Sequence, residues 1–304
     1  MLKLKLLSVA VDVTWTGGGG TTWSTATGSG NWKATVGGAA ADYNNDVNVL
    51  FDDTATGLTA DISAADVTPT SVVFNNSTKN FTVTGTQGIA GATGILKQGT
   101  GKVTLASVNT YTGVTTLDGT GGTLQLNGVT KAQAPVLTGG GANIKAGKMI
   151  FDYTGEGSPA ATIKGLLTTS YSAGAWNAGQ FKSSTADSNH GLGWIDNTTT
   201  GQVTVAYTLY GDATVNGGVD LSDLAAVGAN WNQTGKVWAQ GDFNYDGKVD
   251  LSDLAAVGAH WNQSIAGFSM TSDLTAAVPE PGSIVLLLVG GVAVLFYARR
   301  RRRS

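Results

Sequence analysis

The chain has 304 residues, 44 glycines, no cysteine, 13% charged residues and a formal net charge of −3. The absence of cysteine excludes disulfide frameworks, zinc fingers, thiol catalysis and iron–sulfur clusters. The low charge and the high glycine content argue against a helical bundle, a coiled coil or a nucleic-acid binder. Seven of the aspartates lie between Asp212 and Asp253. Such crowded carboxylates repel one another unless a cation binds, so this segment is the first place to expect a hard metal ion.

Residues 1–12 predict a weak or truncated export signal. Lys3 and Lys5 precede an apolar stretch, but this stretch is shorter than the ~7–15 residues of a usual signal. Export is therefore inferred mainly from the C-terminal end of the chain.

Residues 13–207 predict a mainly β domain. Short β-branched runs alternate in polarity and end at glycine or asparagine, which is typical of strands, and no run resembles a ten-residue helix. Gly-Thr-Gly recurs at 99–101 and 119–121, a spacing that suits one coil of a β-solenoid. A β-sandwich with similar strand spacing is the alternative. The predicted strands are 71–74, 81–84, 102–105, 114–117, 123–126, 148–153 and 202–208.

Two stretches resemble the autotransporter-associated β-strand repeat. They are Leu-Lys-Gln-Gly-Thr-Gly-Lys-Val-Thr-Leu at 96–105 and Asn-Thr-Tyr-Thr-Gly-Val-Thr-Thr at 109–116, within a repeat region that we place at about 94–126. Members of that family are parallel β-helices on bacterial surfaces. The resemblance therefore implies a right-handed parallel β-helix for residues 13–207.

The strongest chemical signal is a duplication within residues 208–264. Segments that begin at Asp212 and Asp242 share 16 of 22 aligned residues. In the second copy, oxygen-bearing side chains occupy positions 1, 3, 5, 9 and 12 around a glycine at position 6, the spacing of an EF-hand calcium loop, in which residue 7 offers its carbonyl. The predicted ligands are Asp242, Asn244, Asp246, Lys248, Asp250 and Asp253 in the second loop, and Asp212, Thr214, Asn216, Gly218, Asp220 and Asp223 in the first.

We expect two Ca²⁺ sites of unequal strength. The second loop has four carboxylates and the first has three, and fewer anionic ligands mean weaker binding. An Asp/Asn/Gly-rich surface turn is the simpler interpretation of one such loop. Two copies in register, each followed by an amphipathic helical pattern, favour calcium.

Paired loops that supply only the exiting helix resemble the type I dockerin. Dockerins bind cohesin modules and attach enzymes or surface proteins to scaffolds, so the resemblance implies a small α-helical module with a cohesin-like partner. The recognition pair of that family falls on Leu221-Ser222 and on Leu251-Ser252. Alternatively, the two leucines pack the helices against each other.

Residues 265–278 are predicted to be a linker, and residues 279–304 form a three-part segment. Pro279-Glu280-Pro281 is followed by an uncharged run at 283–298 and then by five arginines. The run suits a transmembrane helix with the arginines in the cytoplasm. The segment resembles the PEP-CTERM sorting signal of Gram-negative bacteria. This resemblance implies export, processing by an exosortase, and either membrane anchoring or transfer to the cell surface or extracellular matrix.

The sequence favours a non-catalytic, exported structural or adhesion protein. No residue receives a catalytic role: Asp152 and Glu156 are four apart without a readable cleft, and His260 is expected at the surface. The alternative is a dockerin-bearing enzyme, a hydrolase or lyase acting on extracellular polysaccharide, which makes polysaccharide a further expected partner. Tryptophans that could stack on sugars, but that more often belong to a core, are Trp15, Trp23, Trp32, Trp176 and Trp194.

Overall fold

Two largely parallel sheets dominate the computed structural model, which describes residues 12–119, 121–128, 132–266 and 268. Sheet A contains β1 Val13–Trp15, β2 Trp32–Ala34, β3 Ala40–Ala41, β4 Asn48–Asp52, β6 Ser71–Asn75, β8 Gly94–Gln98, β10 Thr115–Leu117, β12 Ala142–Ile144 and β14 Phe181–Lys182. Sheet B contains β5 Thr59–Asp61, β7 Phe81–Thr84, β9 Lys102–Leu105, β11 Thr123–Asn127, β13 Lys148–Asp152, β15 His190–Asn197 and β16 Gln202–Leu209. The helices are α1 Ala134–Leu137, α2 Ala160–Tyr171, α3 Leu221–Ala229 and α4 Leu251–Ala259, with 3₁₀ turns at Ser172–Gly174 and Trp238–Gln240.

The strands wind as a β-solenoid of about four turns. From β4 to β14 the chain alternates between the sheets, and each strand pairs in parallel with the strand one coil later. Asn48 and Ser71 are paired at an offset of 23 residues, and Ile89 and Asn109 are joined at an offset of 20. Because sandwiches of the immunoglobulin type are antiparallel, these ladders rule out the β-sandwich and confirm the parallel β-helix.

All seven predicted strands are present, with ends that differ by at most one residue. The expectation that residues 13–207 contain no ten-residue helix is wrong, because α2 has 12 residues. Its sequence offers a weak helical signal, since Gly165 and four hydroxyl residues are poor helix formers. Tertiary packing supplies the stability instead, because Ile163 and Leu167 are buried one turn apart.

The core lies between the two sheets. Inward side chains stack in register from coil to coil, as in the sheet A row Phe51, Phe74, Lys97, Leu117 and Ile144. Lys97 is the exception in an otherwise apolar row, and it is only 1% exposed. The stacking explains why the strands are short: each coil buries its apolar face only against its neighbours.

Aromatic side chains close the first coils. Trp15, Trp23, Trp32, Tyr43 and Phe51 are buried in one cluster with ring centroids 4.9–6.0 Å apart. The five tryptophans considered for sugar stacking are at most 5% exposed, so they belong to the core.

Antiparallel strands flank the parallel ladders. β2 and β3 extend sheet A beyond β1, and the β15–β16 hairpin extends sheet B beyond β13. No helix among the described residues is long and apolar enough to cross a membrane. Residues 1–11 of the predicted signal at 1–12, most of the linker, and the predicted transmembrane helix 283–298 lie outside the described residues.

Candidate calcium centre and adjoining cleft

The second loop wraps around Asp242. This residue is 3% exposed, and its Oδ2 accepts a hydrogen bond from the backbone N–H of Gly247 at 3.0 Å. Tyr245 and Gly247 have positive φ angles of 58° and 82°, so the chain turns sharply at the place where the spacing requires a glycine. The other oxygen, Asp242 Oδ1, is buried and has no hydrogen-bond partner. A bare buried carboxylate oxygen is costly unless a cation binds it.

The remaining side chains of the second loop are oriented by local hydrogen bonds. Asn244 Oδ1 accepts from the N–H of Asp246 at 3.0 Å, and Asp246 Oδ1 accepts from the N–H of Lys248 at 2.8 Å. Asp253 accepts from the N–H groups of Phe243 and Asp250 at 2.8 and 3.0 Å. Each of these oxygens keeps a second lone pair, which a hard cation can use.

The carboxylates of the second loop perturb one another. Burial raises the pKa of Asp242 to about 7, and the neighbouring charges of Asp253 and Asp246 add to this effect. Burial, followed by the charges of Asp250 and Asp246, raises the pKa of Asp253. The described residues contain no cluster of three or more Asp, Glu, His or Cys side chains that could hold a metal by themselves. The predicted second-loop ligands include four carboxylates, so in this structure fewer than three of them converge closely enough to form such a cluster.

The first loop has the same backbone course but a satisfied carboxylate. Asp212 Oδ2 accepts from the N–H of Gly217 at 2.8 Å and also from the hydroxyl of Thr208. Its Oδ1 accepts from the Thr214 hydroxyl at 3.2 Å and from the N–H of Asn216 at 3.1 Å. Burial raises the pKa of Asp212 to about 7, and the charge of Asp223 contributes. Both Asp212 oxygens therefore have partners already, whereas Asp242 has one that is bare.

Each loop leads into an identical short helix. Asp220 and Asp250 cap α3 and α4 by accepting from the N–H of Ser222 and Ser252 at 2.7 and 2.8 Å. At the third helical position, Asp223 and Asp253 complete a capping box. No α-helix directly precedes either loop in the described chain, as the sequence predicted.

Leu221 and Leu251 do not pack α3 against α4. They are 70% and 71% exposed, and the buried helix side chains are Val227 and Val257 with the capping aspartates. The alternative in which these leucines hold the helices together is wrong. Ser222 and Ser252 are also exposed, so both Leu-Ser pairs lie on the surface. Their assignment to a partner stays a prediction.

Two aromatic residues fasten the loops to the solenoid. Tyr245 donates its hydroxyl to the carbonyl of Leu192 in β15 at 2.6 Å, and Trp238 donates its indole N–H to the carbonyl of Asp212 at 2.6 Å. Gly193 gives the indole room, since a Cβ there would lie 2.6 Å from the Trp238 ring. Sequence reasoning missed both contacts. The sequence signal that pointed to the Tyr245 contact is a difference between the two duplicated loops, because Tyr245 in the second loop occupies the position of Val215 in the first.

A cleft of about 640 Å³ opens beside the second loop. Its lining comes from the loop and α4, from the chain after α2, from the turn at Asp187-Ser188 and from Tyr210. His260 also lines it and is 5% exposed, with Nδ1 3.0 Å from the carbonyl of Ala256, so the expectation of a surface histidine is wrong. The replacement of Asn230 by His260 was the only sequence signal.

Asp152, considered for catalysis, serves as a hydrogen-bond acceptor. The amides of Gln125 and Gln202 each donate to it at 3.0 Å, and the N–H of Thr154 donates at 3.0 Å. Burial would raise its pKa, but these hydrogen bonds outweigh burial and lower it. A carboxyl that stays ionised in this way is a poor general acid.

Comparison with known protein families concerns the C-terminal end of the chain. Residues 277–303 match the PEP-CTERM protein-sorting motif. This is a sorting signal. It implies that the chain is exported, processed by an exosortase and sorted to the surface of a Gram-negative bacterium. Pro279, Glu280 and Pro281 lie within the matched residues.

Comparisons with curated proteins and with solved structures gave no match. The resemblances to dockerins and to the autotransporter-associated repeat gain no support from these comparisons. Support for calcium binding therefore comes from the loops alone.

Proposed function

We propose that this exported chain is a non-catalytic structural or adhesion protein of the cell surface or extracellular matrix, stabilised by calcium. The solenoid supplies an extended surface, and the duplicated loops supply cation sites at Asp212–Asp223 and Asp242–Asp253. The single observation that carries the calcium proposal is the buried, unpartnered Asp242 Oδ1.

The surroundings of Asp242 support the binding of a cation. Asp242 Oδ2 accepts a hydrogen bond from the N–H of Gly247, the glycine at position 6 of the calcium-loop spacing. Asp246 and Asp253 lie close enough to raise the pKa of Asp242. A divalent ion would offset this repulsion and give Oδ1 a partner. The ligands named by the spacing, Asn244, Lys248 through its carbonyl, and Asp250, belong to the same turn.

The first loop is proposed as the weaker site. It has three carboxylates, and both oxygens of Asp212 already accept hydrogen bonds, so an ion must replace existing contacts there. The second loop has four carboxylates and a free acceptor.

Calorimetric titration with Ca²⁺ of the wild type and of the matched variants Asp223→Ala and Asp253→Ala tests this proposal. We expect two binding events in the wild type, with the tighter event lost in Asp253→Ala and the weaker event lost in Asp223→Ala. Each loss should weaken its site by about 100-fold or more, since a carboxylate ligand and a capping group are removed together. The absence of any calcium binding would overturn the proposal, and a tighter first loop would reverse the ranking.

A further inference from the structure

The cleft beside α4 has the size of a ligand site. Its volume of about 640 Å³ lies within the ~300–1,000 Å³ of small-molecule pockets. Parts of the chain far apart in sequence converge on it, including Tyr171, Tyr210 and Asn244. The calcium proposal does not account for this cleft, although Asn244 and Asp253 belong to the second loop and also line the cleft.

Two phenolic hydroxyls are left accessible in its wall. Tyr210 accepts a hydrogen bond from the indole of Trp176 at 3.0 Å, and within the described part of the chain neither Tyr210 nor Tyr171 donates its own hydroxyl proton. The hydroxyls of Tyr210 and Tyr171 lie 3.5 and 4.0 Å from where a Cβ on Gly174 would stand. Because Gly174 has no side chain, both donors stay uncovered.

The backbone that forms this wall is strained. Ser172, Ala173 and Trp176 have positive φ angles of 45°, 52° and 46°, a region costly for residues other than glycine. Such strain tends to cluster at ligand sites where the fold fixes a particular shape. Here the fully buried Trp176 holds the segment in place.

The polar groups of the lining favour a neutral, hydroxyl-rich ligand. Hydroxyls, the amide of Asn244 and carboxylates offer donors and acceptors beside aromatic rings, which suits groups that both donate and accept. The lining contains Asp187 and Asp253 but no lysine or arginine, which disfavours anions. Asp187 accepts its hydrogen bonds from Asn189 and His190 at Oδ1 alone, and Asp253 accepts one at each oxygen, so both carboxylates keep acceptor capacity for the hydroxyls of a ligand.

We propose that this cleft binds a neutral saccharide. The hydroxyls of Tyr171 and Tyr210 donate to the sugar, and Asn244 contributes its amide from the opposite part of the chain. The site concerns recognition only, and no bond of the sugar is broken.

The duplicated helices provide a matched test. Ala255 in α4 lines the cleft, and Ala225 occupies the same position in the identical helix α3, away from the cleft and equally exposed. The full chain, with Ca²⁺ and with a chelator, is titrated calorimetrically with maltohexaose, cellohexaose, laminarihexaose and an oligogalacturonate. We expect a neutral hexasaccharide to bind, Ala255→Trp to weaken binding by about tenfold or more, and Ala225→Trp to leave it unchanged.

The proposal fails if no neutral hexasaccharide binds, if the two tryptophan variants behave alike, or if the oligogalacturonate binds more tightly. If Ala255→Trp does not fold, Tyr171→Phe replaces it, with an expected loss of about threefold or more. Calcium titration of the same variants is expected to be unchanged. A wild type that binds calcium but no neutral hexasaccharide therefore contradicts only the cleft proposal, and a wild type that binds a hexasaccharide but no calcium contradicts only the calcium proposal.

Discussion

At the scale of single residues, Lys97 shows how the solenoid accommodates a charge in its core. Its Nζ donates to the carbonyls of Gln98 and Gly99 at 2.5 and 2.9 Å, where the chain leaves the strand at a corner. Burial lowers the pKa of Lys97 to about 8, although the charge of Asp53 opposes this shift. The corner carbonyls thus act as partners for an ammonium that the apolar row cannot solvate.

Lys97 should make stability depend on pH in the alkaline range. Because its pKa is lower in the folded protein than in the unfolded chain, the unfolded chain holds more protons between pH 8 and 10.5, and stability rises with pH there. Tyr43 and Tyr111, whose pKa values burial raises, act in the opposite direction above pH 10. From pH 7.5 to 9.5 the gain should be on the order of 1 kcal/mol.

Denaturant unfolding of the wild type and of Lys97→Met across this pH range measures the effect. The variant should lose the rise in stability, while Lys182→Met, at an exposed position of β14, should keep it. A wild-type profile that stays flat, or one shared by Lys97→Met, would show that the buried ammonium does not titrate in this range.

Other single residues show the limit of sequence reasoning. Spacing alone located the loop oxygens, because a metal loop depends on local chain geometry. It could not show that Asp242 Oδ1 is bare while Asp212 Oδ1 accepts from Thr214 and Asn216, because these bonds depend on the exact backbone path of each loop. The burial of His260 against Asn189 likewise depends on a distant turn.

At the scale of the elements, corner glycines set how closely successive coils approach. A Cβ on Gly119 would lie 2.5 Å from the carbonyl oxygen of Gly99, one coil earlier. A Cβ on Gly147 would lie 2.4 Å from the carbonyl of Gly122. Backbone therefore packs directly on backbone at this corner, which explains part of the high glycine content.

Two glycine substitutions should change stability in opposite directions. Gly119→Ala should destabilise the protein by about 1–3 kcal/mol, because the rigid Gly99 backbone must move. Gly165→Ala should stabilise it by about 0.5–1 kcal/mol, because Gly165 lies within α2 with open space around its Cα. Midpoints of denaturant unfolding compare the two. Equal effects in both variants would contradict the close approach of the coils.

The sequence predicted seven of the sixteen described strands, and α3 and α4 among the helices. Period-two alternation bounded by glycine identified seven strands, because each strand buries one face in its own coil. β8 lies within the repeat region but was not predicted as a strand, because Lys97 places a charged residue at an inward position where the alternation calls for an apolar one. α2 was not predicted, because its stability comes from tertiary packing rather than from the helix propensity of its own residues. The pairing of strands one coil apart cannot be read from the sequence and became known only from the structure.

At the scale of the whole molecule, the two duplicated loops are joined to the solenoid. Tyr171, Trp176, Trp238 and Tyr245 form one aromatic cluster with ring centroids 5.4–5.7 Å apart. Tyr245 belongs to the second loop, whereas Tyr171 and Trp176 follow β13 in the solenoid. We therefore expect that a change in the stability of the second loop also changes the stability of the last coils of the solenoid.

Calcium should stabilise strands that contain none of its ligands. A ligand that binds only the folded state adds about 2.7 kcal/mol at 100 times its dissociation constant. Hydrogen exchange should therefore show greater protection of β15 and β16 amides in Ca²⁺ than in chelator, and Asp253→Ala should remove the difference. If the loops bind calcium while exchange in these strands stays the same, the coupling is absent.

The contacts of Tyr245 and Trp238 with Leu192 and Gly193 also shield the outermost strand of sheet B. β15 has eight residues and pairs within the sheet only with β16, so its other side would offer free backbone groups to a second chain. A loop module that loosens when cation is scarce would uncover this edge. The backbone groups along that edge would then be free to pair with a strand of a neighbouring molecule.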